Sequence, residues 1–278
     1  MKQRTITALI LICLFVPILI FSKTIVFPIA LALCSVLAIR EMVNCIGLRD
    51  SYLVTWPMFV IGAATPFVVR YVHSLSEIRR FAWIAAIFAI LYFLSVLTFC
   101  SHRYNLADVS TCFMTVLYII IGFNSILLLH DRQTAGQYVY LTPFICAWST
   151  DVFAYFCGRL FGKHKLLPDV SPKKTIEGSV SGVIFCVLSL LLYGFIINQM
   201  SNTFNANYLV LILAGLLTSV VAQIGDLSMS LIKRFYGIKD YGRLFPGHGG
   251  VVDRFDSVLS VSMVLLALCS FFPLFEVV

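Results

Sequence analysis

The sequence predicts an all-α integral membrane protein, a polytopic bundle of about nine transmembrane helices with its N-terminus in the cytoplasm. Three observations carry this. Hydrophobic residues make up 60% of the 278 and mean hydropathy is +0.96. They fall in continuous runs close to the roughly 20 residues that a bilayer core requires. The basic residues gather in a few polar loops, as they do on the cytoplasmic face of membrane proteins.

In chain order the runs cover residues 6–22, 24–40, 52–70, 81–99, 109–129, 138–158, 178–198, 207–227 and 255–275. Lys2 and Arg4 precede the first, as in a signal peptide. No small-residue cleavage site follows, and apolar sequence resumes just after Lys23, so this segment reads as a retained anchor. Nine spans put Lys2, Arg4, Arg40, Arg49, Arg103, the five basic residues of loop 159–177 and the five of loop 228–254 on one side. Only Lys23, Arg70, Arg79, Arg80 and Arg132 fall on the other. The N-terminus and both basic loops are therefore expected in the cytoplasm and the C-terminus outside. The net charge of +7 resides mainly in those loops and points to anionic lipids or phosphates, not nucleic acid.

The nine cysteines are scattered singly and form no CxxC pair, so they read as small buried residues. No repeat or long polar linker divides the chain. Residues 1–137 are expected to be N-terminal transmembrane helices, and residues 138–278 a second region holding nearly all the unusual polar positions.

A carboxylate within a span costs at least about 2.5–3.5 kcal/mol on insertion scales and so needs a partner, a wet cavity or an ion. Asp151 in "CAWSTDVFAYFCGRLFG", Asp226 in "VVAQIGDLSMS", and Asp253 and Asp256 in "VVDRFDSV" stand out. Glu41, beside Arg40 at the end of the second span, reads as an interfacial carboxylate. Asp253 and Asp256 are three apart, so a helix puts them on one face where they can approach one cation. They also read as ordinary acidic residues at the positive end of a helix. The preceding loop adds His248, Lys233, Arg234, Lys239 and Arg243, with Gly249 and Gly250 freeing the backbone, a mixture suited to phosphate held through a metal. A second basic loop, "GRLFGKHKLLPDVSPKKTIEGSVSG", brings Ser171, Lys173, Lys174 and Thr175 to a helix start, where they can grip a polyphosphate. The other reading of that loop is a patch resting on anionic lipid.

Residues 230–256, "SLIKRFYGIKDYGRLFPGHGGVVDRFD", resemble the signature of the phosphatidate cytidylyltransferase (CDP-diacylglycerol synthase) family at Ser230, Lys233, Arg234, Lys239, Asp240, His248, Gly249, Gly250, Asp253, Arg254 and Asp256. The resemblance extends upstream through "QIGDL", "SPKKTIEG" and "WSTDVFAYFCGRLFG". It implies transfer of CMP from CTP to phosphatidic acid, giving CDP-diacylglycerol and pyrophosphate for phospholipid biosynthesis, with the region from 138 onward catalytic. The compact length without a long soluble N-terminal extension suggests a bacterial inner (cytoplasmic) membrane, and the basic loops an active site facing the cytoplasm. Asp226, Asp253 and Asp256 are then the expected Mg²⁺ ligands, with room for a second cation. Catalytic roles are expected of these three with Lys239, Asp240 and His248. Substrate contacts are expected of Asp151, Ser171, Lys173, Lys174, Lys233, Arg234 and Arg254. The attacking phosphate is largely ionised at neutral pH, so His248 is cast as a phosphate donor and not as a base. CTP, phosphatidic acid and membrane lipid are the implied partners; the oligomeric state is left open, a homodimer included. Two alternatives stand beside this reading, a CTP-dependent polyprenol or phytol kinase and a cation-coupled transporter.

The division of basic residues sets an expected labelling pattern. In a cysteine-free variant, Lys239→Cys should be shielded from an impermeant thiol reagent added outside intact cells, whereas a cysteine placed near residue 278 should react. The opposite pattern would reject the nine-span orientation.

Overall fold

A computed structural model describes residues 13, 15–72, 74–100 and 102–277. The long apolar runs form helices because a helix satisfies its own N–H and C=O groups where water is absent. In chain order the elements are α1 (Val26–Ile46), α2 (Tyr52–Tyr71), α3 (Leu75–Phe99), α4 (Leu106–Arg132), the single turn α5 (Gly136–Val139), α6 (Thr142–Phe161), β1 (Lys165–Leu167), β2 (Ser171–Thr175), α7 (Ile176–Met200), β3 (Phe204–Ala206), α8 (Tyr208–Phe235), α9 (Val252–Cys269) and β4 (Phe275–Val277). The all-α, polytopic expectation holds. Among the described residues six helices are long and apolar enough to cross a membrane: α1 to α4, α7 and α8. The count of nine is not reached. Of the expected first span, 6–22, residues 6–12 and 14 lie outside the described residues, and 15–20 are helical. Helices α6 and α9, also counted from the sequence, carry Asp151, Arg159, Asp253, Arg254 and Asp256, which lower their apolar content.

Two sequence boundaries move. Helix α8 continues through Phe235, so Ser230, Lys233 and Arg234 are helical and not part of a loop. Loop 159–177 contains an antiparallel hairpin, β1 with β2, which leads into α7 through the N-cap Thr175, whose hydroxyl accepts the Gly178 N–H at 3.2 Å.

The chain forms two compact units. One contains the residues through Asn124 together with Ile238–Arg254, and the other Ser125–Gly237 with the residues from Phe255 onward. In the first unit α2 packs against both α1 and α3. Asn124 Nδ2 donates to Thr65 Oγ1 at 2.9 Å and the Tyr92 hydroxyl to the Leu53 carbonyl at 2.7 Å. Helix α3 turns large apolar side chains outward, Trp83 71% and Phe88 69% exposed, as a lipid-facing helix does.

In the second unit α6, α7 and α8 pack on one another. Helices in lipid gain little from hydrophobic burial against each other, so close approach through small residues and polar contacts matters more. Thr150 of α6 donates to Ser219 of α8 at 3.0 Å, both fully buried. On α7, Gly178 lies so near α6 that an added Cβ would stand 2.5 Å from the Ala154 carbonyl oxygen. Strands β3 and β4 pair at Asn205 and Glu276 and join the two segments after α7 and α9.

Gly178→Val should force α6 and α7 apart and lower stability by about 1–3 kcal/mol. Thermal unfolding of the detergent-purified protein would show the loss, and an unchanged midpoint would reject this helix contact.

Candidate active site

Helix α8 presents Asp226, Ser230 and Lys233 at helical spacing, so they share a face. Ser230 Oγ donates to Asp226 Oδ1 at 3.3 Å. One residue earlier, Gly225 admits α9 closely; a Cβ there would meet the Asp256 carbonyl oxygen at 3.0 Å. This approach sets Asp226 beside Asp256, which is buried and has Asp226, Asp151 and Lys233 as its charged neighbours. Ser257 ties the group together. Its N–H donates to Asp256 Oδ1 at 2.8 Å, and its hydroxyl reaches Asp151 Oδ2 at 3.3 Å.

The hairpin supplies the opposite charge. Lys174 on β2 forms an ion pair with Asp226, both partly buried, while Lys173 is exposed nearby. The hairpin's start is held by Glu177 in the first turn of α7, which accepts from His164 Nδ1 at 2.7 Å and from its backbone N–H at 3.2 Å. A cleft of about 240 Å³ results, lined by Asp151, Tyr155, Ser171, Lys173, Lys174, Ser179, Gln223 and Asp226. Ser179 donates its hydroxyl to the Gln223 side-chain oxygen in its wall. Removing a carboxylate from water costs several kcal/mol per ion unless charge and hydrogen bonds offset it. Lys174, Lys233 and the Ser257 donors provide that offset here.

In the other unit, residues 238–254 fold into a compact loop. His248 N–H donates to the Phe245 carbonyl at 2.8 Å, with Pro246 and Gly247 (φ +77°) between them, the pattern of a type II turn. Asp253 Oδ2 accepts the N–H groups of Tyr241 at 2.8 Å and Gly250 at 2.9 Å. Lys239, Asp240, Arg243, His248 and Arg254 line a cleft of about 700 Å³ in this loop. His248 Nδ1 is buried and has no hydrogen-bond partner among the described residues. The cleft can therefore offer an anion two guanidinium groups, an ammonium and an imidazole.

The structure thus groups Asp151, Asp226, Asp256, Lys174 and Lys233, with Ser171 and Lys173 in the same cleft. Lys239, Asp240, His248 and Arg254 belong to the loop cleft. Asp253 shares its helix with Asp256 but gives an oxygen to the loop's backbone, which the expectation of one shared cation did not include. Arg234 is exposed and its Nε approaches the Val170 carbonyl at 3.5 Å. Sequence reasoning passed over Ser179, Gln223 and Ser257. Polar residues close to Asp226 and Asp256 in apolar helices were the available signal.

Among the described residues no three His, Cys, Asp or Glu side chains are arranged to hold a metal by themselves. Mg²⁺ usually takes one or two carboxylates and completes its shell with water and substrate phosphates. The all-oxygen pair Asp226 and Asp256 fits that pattern.

Comparison with known proteins gives a consistent picture. Residues 2–272 match the cytidylyltransferase family. Proteins named phosphatidate cytidylyltransferase from Staphylococcus haemolyticus, Staphylococcus epidermidis and Staphylococcus aureus are 35%, 34% and 34% identical to this chain. Each alignment covers 95% of this chain and 97% of the relative.

The Lys174–Asp226 pair should be visible as an energetic coupling. Lys174→Met alone leaves a carboxylate without its cation, whereas adding Asp226→Asn removes the orphaned charge. The double variant should unfold less readily than the sum of the single effects, with a coupling of about 1–3 kcal/mol by thermal denaturation. Simple additivity would show that the pair contributes nothing.

Proposed function

The chain belongs to the cytidylyltransferase family, and from that premise we propose that it transfers CMP from CTP to the phosphate of phosphatidic acid, giving CDP-diacylglycerol and pyrophosphate. It is an integral membrane nucleotidyltransferase. The observation that carries the reading is the group of Asp151, Asp226 and Asp256 with Lys174 and Lys233, acid and base together beside a polar cleft. Both substrates are anions and repel one another, so the reaction requires neutralisation and alignment more than covalent participation by the protein.

In this mechanism a phosphate oxygen of the lipid attacks the α-phosphorus of CTP. The new P–O bond forms as the bond to the β-phosphate bridging oxygen breaks, and pyrophosphate departs. A phosphomonoester has its second pKa near about 6, so the nucleophile is ionised at neutral pH without a general base. His248, with its buried Nδ1 in the loop cleft, serves as a donor to a phosphate oxygen. Lys174 and Lys233 beside the carboxylates offer positive charge to phosphate, as Lys239 and Arg254 do in the loop cleft, and Ser257 fixes the rotamers of Asp151 and Asp256 through its two donors. Asp226 and Asp256 would hold Mg²⁺, which when bound supplies positive charge to the CTP phosphates. Asp253, expected from the sequence as a third ligand, has one oxygen given to the Tyr241 and Gly250 amides and is assigned to shaping the loop. The excess of basic residues in the two polar loops supports an active site facing the cytoplasm.

The position of the transferred label tests the assignment. With purified protein, Mg²⁺ and phosphatidic acid, label at the α-phosphate of CTP should enter the lipid, and γ-label should leave as pyrophosphate. Lipid labelled from the γ position would mean a kinase. Asp256→Asn should lose nearly all turnover, and His248→Gln, which keeps a donor, should lose less. Equal loss in the two would reject the base-free mechanism.

A further inference from the structure

Glu41 lies far from the signature loop in sequence and on a helix that the chemistry above does not use. Sequence reasoning placed it at the membrane interface beside Arg40. The structure instead buries it, 9% exposed, against the loop. Its Oε1 accepts the N–H of Val251 and its Oε2 the N–H of Val252, each at 2.9 Å. Val252 begins α9, and the first N–H groups of a helix have no partner within it. Such donors are usually capped by the residue just before the helix. Here the acceptor comes from 210 positions away and brings a full negative charge to the positive end of the helix dipole.

The loop is shaped to receive this carboxylate. Gly242 and Gly250 both face it, and a Cβ built at either position would run into the Glu41 carboxylate. Asp253 completes the arrangement from the other side through the amides of Tyr241 and Gly250. Four backbone donors of the loop are thus held by two carboxylates. These bonds fix the direction in which α9 starts, and hence the setting of Arg254 in its first turn.

We propose that Glu41 is a positioning residue for the transfer reaction, a bidentate clamp from α1 that sets the first turn of α9 and the loop carrying His248. The part of this proposal that concerns turnover rests on the cytidylyltransferase reading; the clamp itself does not. Glu41→Gln keeps the volume but turns an amide donor toward one of the two N–H groups, leaving a buried donor unsatisfied. Glu41→Asp keeps both acceptors on a shorter arm.

Hydrogen exchange of the full-length protein in detergent, read by mass spectrometry over residues 245–256, should be about tenfold faster in Glu41→Gln than in the native chain, with α7 and α8 unchanged. Turnover per folded protein should fall about tenfold, with the KM for CTP within about twofold, and Glu41→Asp should retain an intermediate rate. Unchanged exchange in Glu41→Gln would overturn the clamp. Faster exchange with native turnover would overturn its positioning role, as would a loss that vanishes on normalising to folded protein. A native protein that makes no CDP-diacylglycerol would overturn the functional reading, while the exchange result would still decide the clamp.

Discussion

A carboxylate taken out of water needs donors or positive charge around it, and the polar architecture of this protein follows from meeting that need in an apolar bundle. Asp226 meets it with Lys174 and Ser230, and Asp256 with the Ser257 amide and Lys233. Asp253 and Glu41 meet it with backbone N–H groups. The two solutions differ in what they leave available. A carboxylate satisfied by a lysine side chain can exchange it for another cation or share it with a phosphate. One satisfied by amides is committed to holding the backbone.

That difference separates chemistry from scaffolding more clearly than residue type does. In the unit containing α6, α7 and α8, small residues let helices approach until Asp151, Asp226 and Asp256 stand together, and the hairpin held by Glu177 and His164 delivers Lys174 to them. In the unit containing the signature loop, a type II turn and four clamped amides give His248 and the basic side chains a fixed frame. A reaction between two polyanions asks for this kind of site, since its barrier lies in bringing negative groups together in line. The rest of the chain supplies a hydrophobic surface, and on α3 that surface faces outward almost throughout, as contact with lipid tails requires.

Much of this was legible in the sequence. Eight of the nine apolar runs correspond to helices of the described residues, because continuous hydrophobicity over such lengths has few other stable outcomes. Asp151, Asp226 and Asp256 were visible as charges in oil, and Lys174 as part of a basic cluster ahead of a helix. Helix boundaries were less legible. Apolarity marks where lipid ends, not where hydrogen bonding ends, so α8 runs on through Lys233 and Arg234 into what the sequence presented as a loop.

The sequence alone determined the membrane setting, the helical class and the identity of the charged residues available for catalysis, since these depend on composition and local spacing. Only the tertiary structure decided how those residues are partnered. Helical spacing put Asp253 and Asp256 on one face, yet Asp253 turns to the amides of Tyr241 and Gly250 while Asp256 is held by Ser257. Glu41 and Val251 share no local pattern, and their contact exists because α1 packs where α9 begins, a pairing that no property of either segment encodes by itself.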